Sequence, residues 1–375
     1  MSSFTRVLIA GGGIAGLTAA TAMRRQGADV DLVERTDRWE AVGAGIAVQP
    51  NGMRALRELG LGDVVERAGA RVRRWLFRDQ RGDVLCDIDL EAFWGTVGPF
   101  IGIERTTLHD ALRSGASSAR CRLGTWITSL AERDRVVSVE FSDGSEREYD
   151  LVIGADGIFS GVRALALGAT PVAYGGQMAW RSVAPIRAPE LDSVQFWLGD
   201  GCFFGLCPVG GDRTYGFGNV TEPRSHEPIA GRLERLRRRF AGFGGLVRDY
   251  LASLASDEAI HCAPIEWVEA ERWHVGRVLL IGDAAHASSP MMGQGGCMAM
   301  EDARVLAEIS AAAASADDAL EQFIARRRPR TDWVQRESRA IGDMLRAPAA
   351  LRDAALREHG AARFRARFAP LVAPP

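Results

Sequence analysis

The stretch GGGIAG places glycines at 11, 13 and 16, between the apolar run RVLIA (Arg6–Ala10) and the helical pattern IAGLTAATAMRRQG (Ile14–Gly27). A buried strand that turns at once into a helix starts a βαβ unit, which restricts the chain to an α/β fold built on a parallel sheet. The first glycine suits the tight turn, the second lets a pyrophosphate approach the backbone, and the third lets helix and strand pack closely. The helix N-terminus then presents free N–H groups and the positive end of its dipole to phosphate. The next strand, DVDLV (Asp29–Val33), ends at Glu34 and Arg35. A carboxylate at that point accepts hydrogen bonds from both hydroxyls of an adenosine ribose. Strand, helix, second strand and terminal acid coincide, so an adenine dinucleotide is the expected ligand. The fingerprint alone does not separate NAD from FAD.

Leu56–Arg67 and Thr107–Ala119 read as helices, and VSVEFSDGSEREYDLVIGADG (Val137–Gly157) as a hairpin turning at Asp143-Gly144 with an apolar second arm. From Val172 to Ile265 short alternating runs and glycine-rich turns predict a mainly antiparallel sheet, interrupted by a helical stretch at Ile229–Leu254. The α/β texture returns after Gly276. From Ala319 the pattern is helical and rich in arginine, which reads as a solvated face.

The run RVLLI (Arg277–Ile281) leads into GDAAHASSPMMGQGGCMAMEDA (Gly282–Ala303). An acid at the end of a core strand is costly unless something pairs with it; Asp283 is either a helix N-cap or a ligand to a bound group. Together with GGGIAG and with DLVIGADGIFSGVR (Asp150–Arg163), this segment resembles the three motifs of the class A flavoprotein aromatic monooxygenases, the para-hydroxybenzoate hydroxylase fold. The resemblance covers nearly the whole chain, in the family's order and spacing. It implies an α/β fold with a Rossmann-like FAD-binding domain (residues 1–75, 96–171 and 266–318). An inserted, mainly antiparallel substrate sheet would take residues 76–95 and 172–265, and a helical region residues 319–375.

The resemblance also implies the cofactors, FAD with NADH or NADPH as co-substrate, and the residues that hold them. Asp283 would bind a ribityl hydroxyl. Gly293, Gly295 and Gly296 would open a helix against the negatively charged edge of the reduced flavin, and Pro290 would stand beside the reacting carbon. Gly45 and Gln49 fall in a loop, Val42–Gly60, that flanks the ring; Arg105 falls near the ribityl–pyrophosphate. Gly11, Gly13, Ala15, Gly16, Glu34, Arg35 and Ile127 complete the set expected around the cofactor. Asp156 is expected mostly to hold the neighbouring glycine turn.

The activity implied is hydroxylation of a small aromatic or heteroaromatic compound with NAD(P)H and O2, through a flavin C4a-hydroperoxide. The alternatives are a flavin oxidase or dehydrogenase, or a non-catalytic ligand-binding member. Such chemistry needs a dry pocket. Phe203, Phe204, Tyr215, Phe217, Met291 and Met292 are its candidate walls, though each aromatic equally suits sheet core. Tyr215 and Pro290 are the candidate catalytic residues. Trp180-Arg181 reads as structural. In the urate hydroxylases of the family a urate-binding arginine falls at about Phe203, which points here to a less anionic, more apolar substrate. None of the six histidines is an obvious base; His226, His261, His274 and His359 are expected to be solvated.

All 46 basic residues are arginine and the net charge is −2, which gives no global attraction to nucleic acid or an anionic membrane. The six cysteines form no Cys-x-x-Cys pair and stand at no metal-ligand spacing, so no metal site and a reduced, cytoplasmic setting are expected. No apolar run approaches the ~18 residues of a membrane span. A monomer or homodimer, with no nucleic-acid or integral membrane partner, is the expected state.

Overall fold

The structure is a computed structural model that describes residues 3–39, 44–186 and 192–375. Its first sheet has six strands, in the order His274–Val275, Val278–Leu280, Leu151–Gly154, Arg6–Ala10, Asp29–Val33, Arg120–Arg122. All neighbours run parallel except the edge pair at 274–280. The inner strands are buried on both faces, as their unbroken apolar runs require. The helix Ile14–Arg25 lies on this sheet through small residues, among them Ala15, Gly16, Ala19 and Ala20. Gly27, at φ +86°, ends it.

The second sheet has seven strands, in the order His261–Trp267, Ala173–Ala184, Thr214–Thr221, Cys202–Pro208, Ser193–Leu198, Arg74–Asp79, Val84–Asp89. It is antiparallel except where Ser193–Leu198 lies parallel to Arg74–Asp79. One face packs on the helices Arg232–Arg239 and Leu246–Ser253 through Trp180, Phe204, Phe240 and Tyr250. The other face meets the C-terminal helices Ala316–Leu345 and Ala349–Phe368.

Three sequence expectations need correction. Leu56–Arg67 is two helices, Pro50–Glu58 and Gly62–Ala68, because Gly60 turns the chain at φ +76°. Ile229–Leu254 is likewise broken by the glycines before Leu246; Gly245 has φ +56°. The apolar second arm of the predicted hairpin divides. Glu146–Tyr149 pairs with Val136–Phe141, whereas Leu151–Gly154 leaves to become a central strand of the parallel sheet. Asp150 marks the divide, its carboxylate accepting from the N–H groups of Thr5 and Arg6 at 3.0 and 2.8 Å.

The arginines of the C-terminal helices are not all on a solvated face. Arg327 is fully buried; its guanidinium donates to Asp302 Oδ1 at 2.8 Å and to Glu301 Oε2 at 2.7 Å. Arg330 adds two bonds to Glu301, and His286 meets Asp302 Oδ2 at 2.6 Å. Burial pushes the Asp302 carboxyl up, but the His286 ring and the Arg327 guanidinium outweigh it and hold the group below its ordinary range. A carboxyl depressed in the folded state adds stability above its unfolded pKa of about 3.9, and that stability fades as the pH falls below this value. Removing one partner of a buried ion pair strands the other charge. Arg327→Ala is therefore expected to lose about 3–5 kcal/mol of stability in urea unfolding, with Arg336→Ala, on the same helix, changing little.

Candidate active site

The fingerprint turn has the geometry its glycines imply. A Cβ on Gly11 (φ +111°) would stand 2.4 Å from the Ala155 carbonyl oxygen, and one on Gly16 would stand 1.9 Å from that of Gly11. A Cβ on Gly13 would meet no atom within 4 Å, so this glycine leaves space rather than filling a contact. Ala15 lies in the next turn and lines the same opening. Glu34 accepts from the Gly12 N–H at 2.7 Å and the Thr36 N–H at 2.9 Å, so it shapes the loop and keeps lone pairs for a ribose. Arg35 is exposed beside it. His109 was not singled out by the sequence. It holds the loop from the helix Arg105–Gly115, with Nε2 2.8 Å from the Gly12 carbonyl oxygen.

Asp283 follows the strand Val278–Leu280 and faces a cavity of about 850 Å³. Among the described residues its carboxylate takes no hydrogen bond and no ion pair. The side chain is open to the cavity yet deep in the molecule, and burial pushes its pKa up against the pull of His286 and Arg105. Beyond it Pro290–Met292 form a 3-10 turn, Gly293 turns at φ +64°, and Gly295 and Gly296 open the 18-residue helix Gly295–Ala312. A Cβ on Gly295 would stand 3.8 Å from Asp283 Oδ1, so helix start and acid share one wall. Gln49 is buried and grips the loop: its Nε2 donates to the Met292 carbonyl at 2.6 Å, and its Oε1 accepts from Gln294 at 2.8 Å. Gly45 and Arg105 line the cavity as well. Val42 and Gly43, at the start of the flanking segment, lie outside the described residues. An unpartnered carboxylate, an open glycine turn and a helix N-terminus facing one space fit the sugar-alcohol chain, pyrophosphate and ring of FAD.

The second sheet supplies the far wall. Tyr215, Phe217 and Phe203 line the cavity with Met291. Gly45 lets the tyrosine approach, since a Cβ there would stand 2.4 Å from Tyr215 Cβ. Burial pushes the Tyr215 phenol up, and the Arg181 guanidinium beside it partly opposes this.

Not every expected residue arrives. Ile127 packs into the core at the start of its strand and does not reach the cavity. Met292 is fully buried on the core side of its turn; only its carbonyl serves the loop. Phe204 points to the other face, its ring 5.0 Å from that of Phe240, because neighbours on a strand alternate. Asp156 accepts from Ser160 and from the Val162 N–H at 3.0 Å, which holds the glycine turn. Conversely, Arg181 and His261 line the cavity, although the first read as structural and the second as solvated. Burial, then Arg181, pushes the His261 imidazole down. The helix Ala349–Phe368 also contributes to the wall, with Leu356, Phe364 and Phe368.

Such a cradle facing an aromatic sheet face across one cavity is the architecture of a flavoprotein hydroxylase. The chain belongs to the FAD binding domain family, whose model matches residues 4–338. It is 34% identical over 92% of its length, and 90% of the relative, to aurachin C monooxygenase/isomerase of Stigmatella aurantiaca. It is 34% identical to the FAD-dependent urate hydroxylase of Klebsiella pneumoniae, over 86% of this chain and 85% of that one. Among solved structures, Klebsiella pneumoniae HpxO complexed with FAD and uric acid superposes with a TM-score of 0.91 at 30% identity, covering 98% of this chain and 96% of the other. The chain is thus an FAD-dependent monooxygenase.

A hydrogen bond to a charged group contributes about 1.5–3 kcal/mol. Asp283→Ala is expected to weaken FAD about ten- to hundredfold, read as flavin content after purification and by titration of the apoprotein. A hydroxyl that donates to Asp283 favours the ionised carboxyl, so wild-type FAD affinity should rise with pH through the raised pKa of the free site and be flat in the alanine variant. A pH slope that survives the substitution would assign the titration elsewhere.

Proposed function

We propose that this monooxygenase uses NAD(P)H and O2 to hydroxylate an uncharged, largely apolar aromatic or heteroaromatic compound. The balance is substrate C–H, O2, NAD(P)H and a proton giving substrate C–OH, water and NAD(P)+. The observation that carries the reading is that the unpartnered Asp283 and the glycine helix start open into the same cavity as the aromatic wall of the second sheet.

Bound FAD supplies hydride uptake from the nicotinamide and transfer of one oxygen atom to the ring. The chain does the rest. Gly295 and Gly296 aim N–H groups and a helix dipole at the space beside Asp283, where they stabilise negative charge. Pro290 and Met291 form the turn between that cradle and the substrate space. Phe203, Phe217, Phe196 and Trp75 exclude water on the sheet side. Tyr215 is the polar point of its strand nearest the Gly45 loop. A phenol is protonated at neutral pH and burial pushes this one further up, so its hydroxyl donates a hydrogen bond to a substrate oxygen or nitrogen and orients the ring.

Turnover under 18O2 tests the reading: one labelled atom is expected in the product and one in water. Stoichiometric peroxide with unlabelled product would instead identify an oxidase. Tyr215→Phe keeps the ring and loses the donor. It is expected to bind FAD normally and to lower the fraction of NAD(P)H oxidation coupled to product severalfold, the remainder appearing as peroxide. Unchanged coupling would return Tyr215 to the sheet core.

A further inference from the structure

Strand Thr214–Thr221 turns Tyr215, Phe217 and Asn219 to the cavity, since alternate residues share a face. The intervening glycines carry the opposite face: a Cβ on Gly216 would stand 2.3 Å from the Tyr250 ring, and one on Gly218 would stand 2.6 Å from Phe240. Asn219 is therefore fixed in direction. It is 2% exposed, it lines the cavity, and among the described residues neither its Oδ1 nor its Nδ2 has a hydrogen-bond partner. Its cross-strand neighbours are Ala179 and Phe203, and both are apolar. A buried amide with both ends free costs stability unless a ligand uses it.

We propose that Asn219 is the specificity-determining contact for substrate, and that the substrate is a neutral heteroaromatic carrying an N–H next to a C=O, as in a lactam or cyclic amide. The inference rests on the hydroxylase reading above. A side-chain amide presents one donor and one acceptor side by side, the complement of an amide edge. A carboxylate ligand would leave the Asn219 oxygen unpaired and would want a cation. Among the described residues, the arginines lining the cavity are Arg181, one cross-strand row nearer the Gly45 loop and beside Tyr215, Arg105, at the cofactor end, and Arg363 and Arg367 of the helix Ala349–Phe368; none of them is a cross-strand neighbour of Asn219. The apolar surround of Trp75, Phe77, Phe196 and Phe203 matches the ring to which such an edge is fused.

The test uses FAD-loaded protein and three probes of one bicyclic shape: 2-quinolone, with an amide edge; 2-naphthol, with a hydroxyl alone; and 2-naphthoate, an anion. Binding is read from the perturbed visible spectrum of the flavin. Wild type is expected to bind 2-quinolone at least tenfold tighter than 2-naphthol, and Asn219→Leu to abolish that ratio. Asn219→Asp, which has lost the donor, should also lose it. Because Asn219 satisfies nothing in the empty protein, Asn219→Leu should keep FAD, keep the KM for NAD(P)H and melt no lower than wild type. A structural role would lower the melting temperature. Should the leucine variant not fold, Asn219→Ser, which is smaller than the native residue, reads the same ratio. The proposal is overturned if the ratio survives substitution, if 2-naphthoate binds most tightly, or if the KM for NAD(P)H rises instead. If no aromatic probe perturbs the wild-type flavin and none accelerates NAD(P)H oxidation, the hydroxylase reading itself fails.

Discussion

Two adjacent carboxylates, Glu301 and Asp302, lie fully buried on the helix that begins at Gly295, and the site depends on how they are neutralised. Buried charge is tolerated only when paired and hydrogen-bonded. Arg327 spans both acids from the helix Ala316–Leu345, Arg330 of the same helix adds to Glu301, and groups of the cofactor cradle complete the set. Asp302 Oδ2 accepts from the Gly282 N–H at 2.9 Å, the residue before Asp283. Glu301 Oε1 accepts from Asn51, which also reaches Gln294; Gln294 in turn donates to Gln49, which holds Met292. One charge cluster thus pins the strand end before Asp283 and the glycine loop after it. The distance between acid and helix start is set by a network neither belongs to.

The aromatic wall of the cavity is built by a different rule. Strand alternation in the second sheet sends Trp180, Phe204 and Leu206 to one core and Phe203, Tyr215 and Phe217 to the cavity. Glycine at three positions lets large rings lie flat on neighbouring strands. A Cβ on Gly205 would stand 2.2 Å from the Phe217 ring, as those on Gly216 and Gly218 would crowd Tyr250 and Phe240. The rings then touch in sequence: Tyr215 to Phe217 at 5.0 Å, Phe217 to Phe196 at 5.4 Å, and Phe196 to Trp75 at 5.0 Å. Arg181, His261, Glu266 and Asn219 are polar breaks in this wall, and under the proposed function they are candidates for recognition of a particular ring.

The difference between what could and could not be read from sequence follows from range. The spacing of Gly11, Gly13 and Gly16 was legible in the residues alone, although the carbonyl that crowds Gly11 comes from Ala155 on a distant strand end, whereas Asp283 stood between helix N-cap and ligand until the resemblance gave it a role. Gly60 and Gly245 broke helices that apolar periodicity had run together, because a single left-handed residue outweighs the pattern on either side. Arg327 lies in an arginine-dense helix that looks solvated until its partners, 25 and 26 residues away, are seen. Phe204 was a misreading that alternation itself could have prevented, given Phe203 as a cavity residue. Asn219 carried no signal: an asparagine near a strand end ordinarily marks a turn, and only the absence of a partner in the folded sheet distinguishes it.

The C-terminal helix sets the depth of the pocket. Phe364 lies 5.4 Å from Trp75 and stacks on Phe368 at 4.4 Å, so the chain of rings that begins at Tyr215 is continued by a separate element. That element is seated tightly: a Cβ on Gly360 would stand 2.7 Å from Cys86 Sγ, on the outer strand Val84–Asp89 of the same sheet. Arg352, fully buried at its side chain, ties the helix start to the Gly199 and Leu198 carbonyls. One part of the cavity wall, formed by Leu356, Phe364 and Phe368, is thus supplied by an element separate from those that carry Asp283 and Gly295.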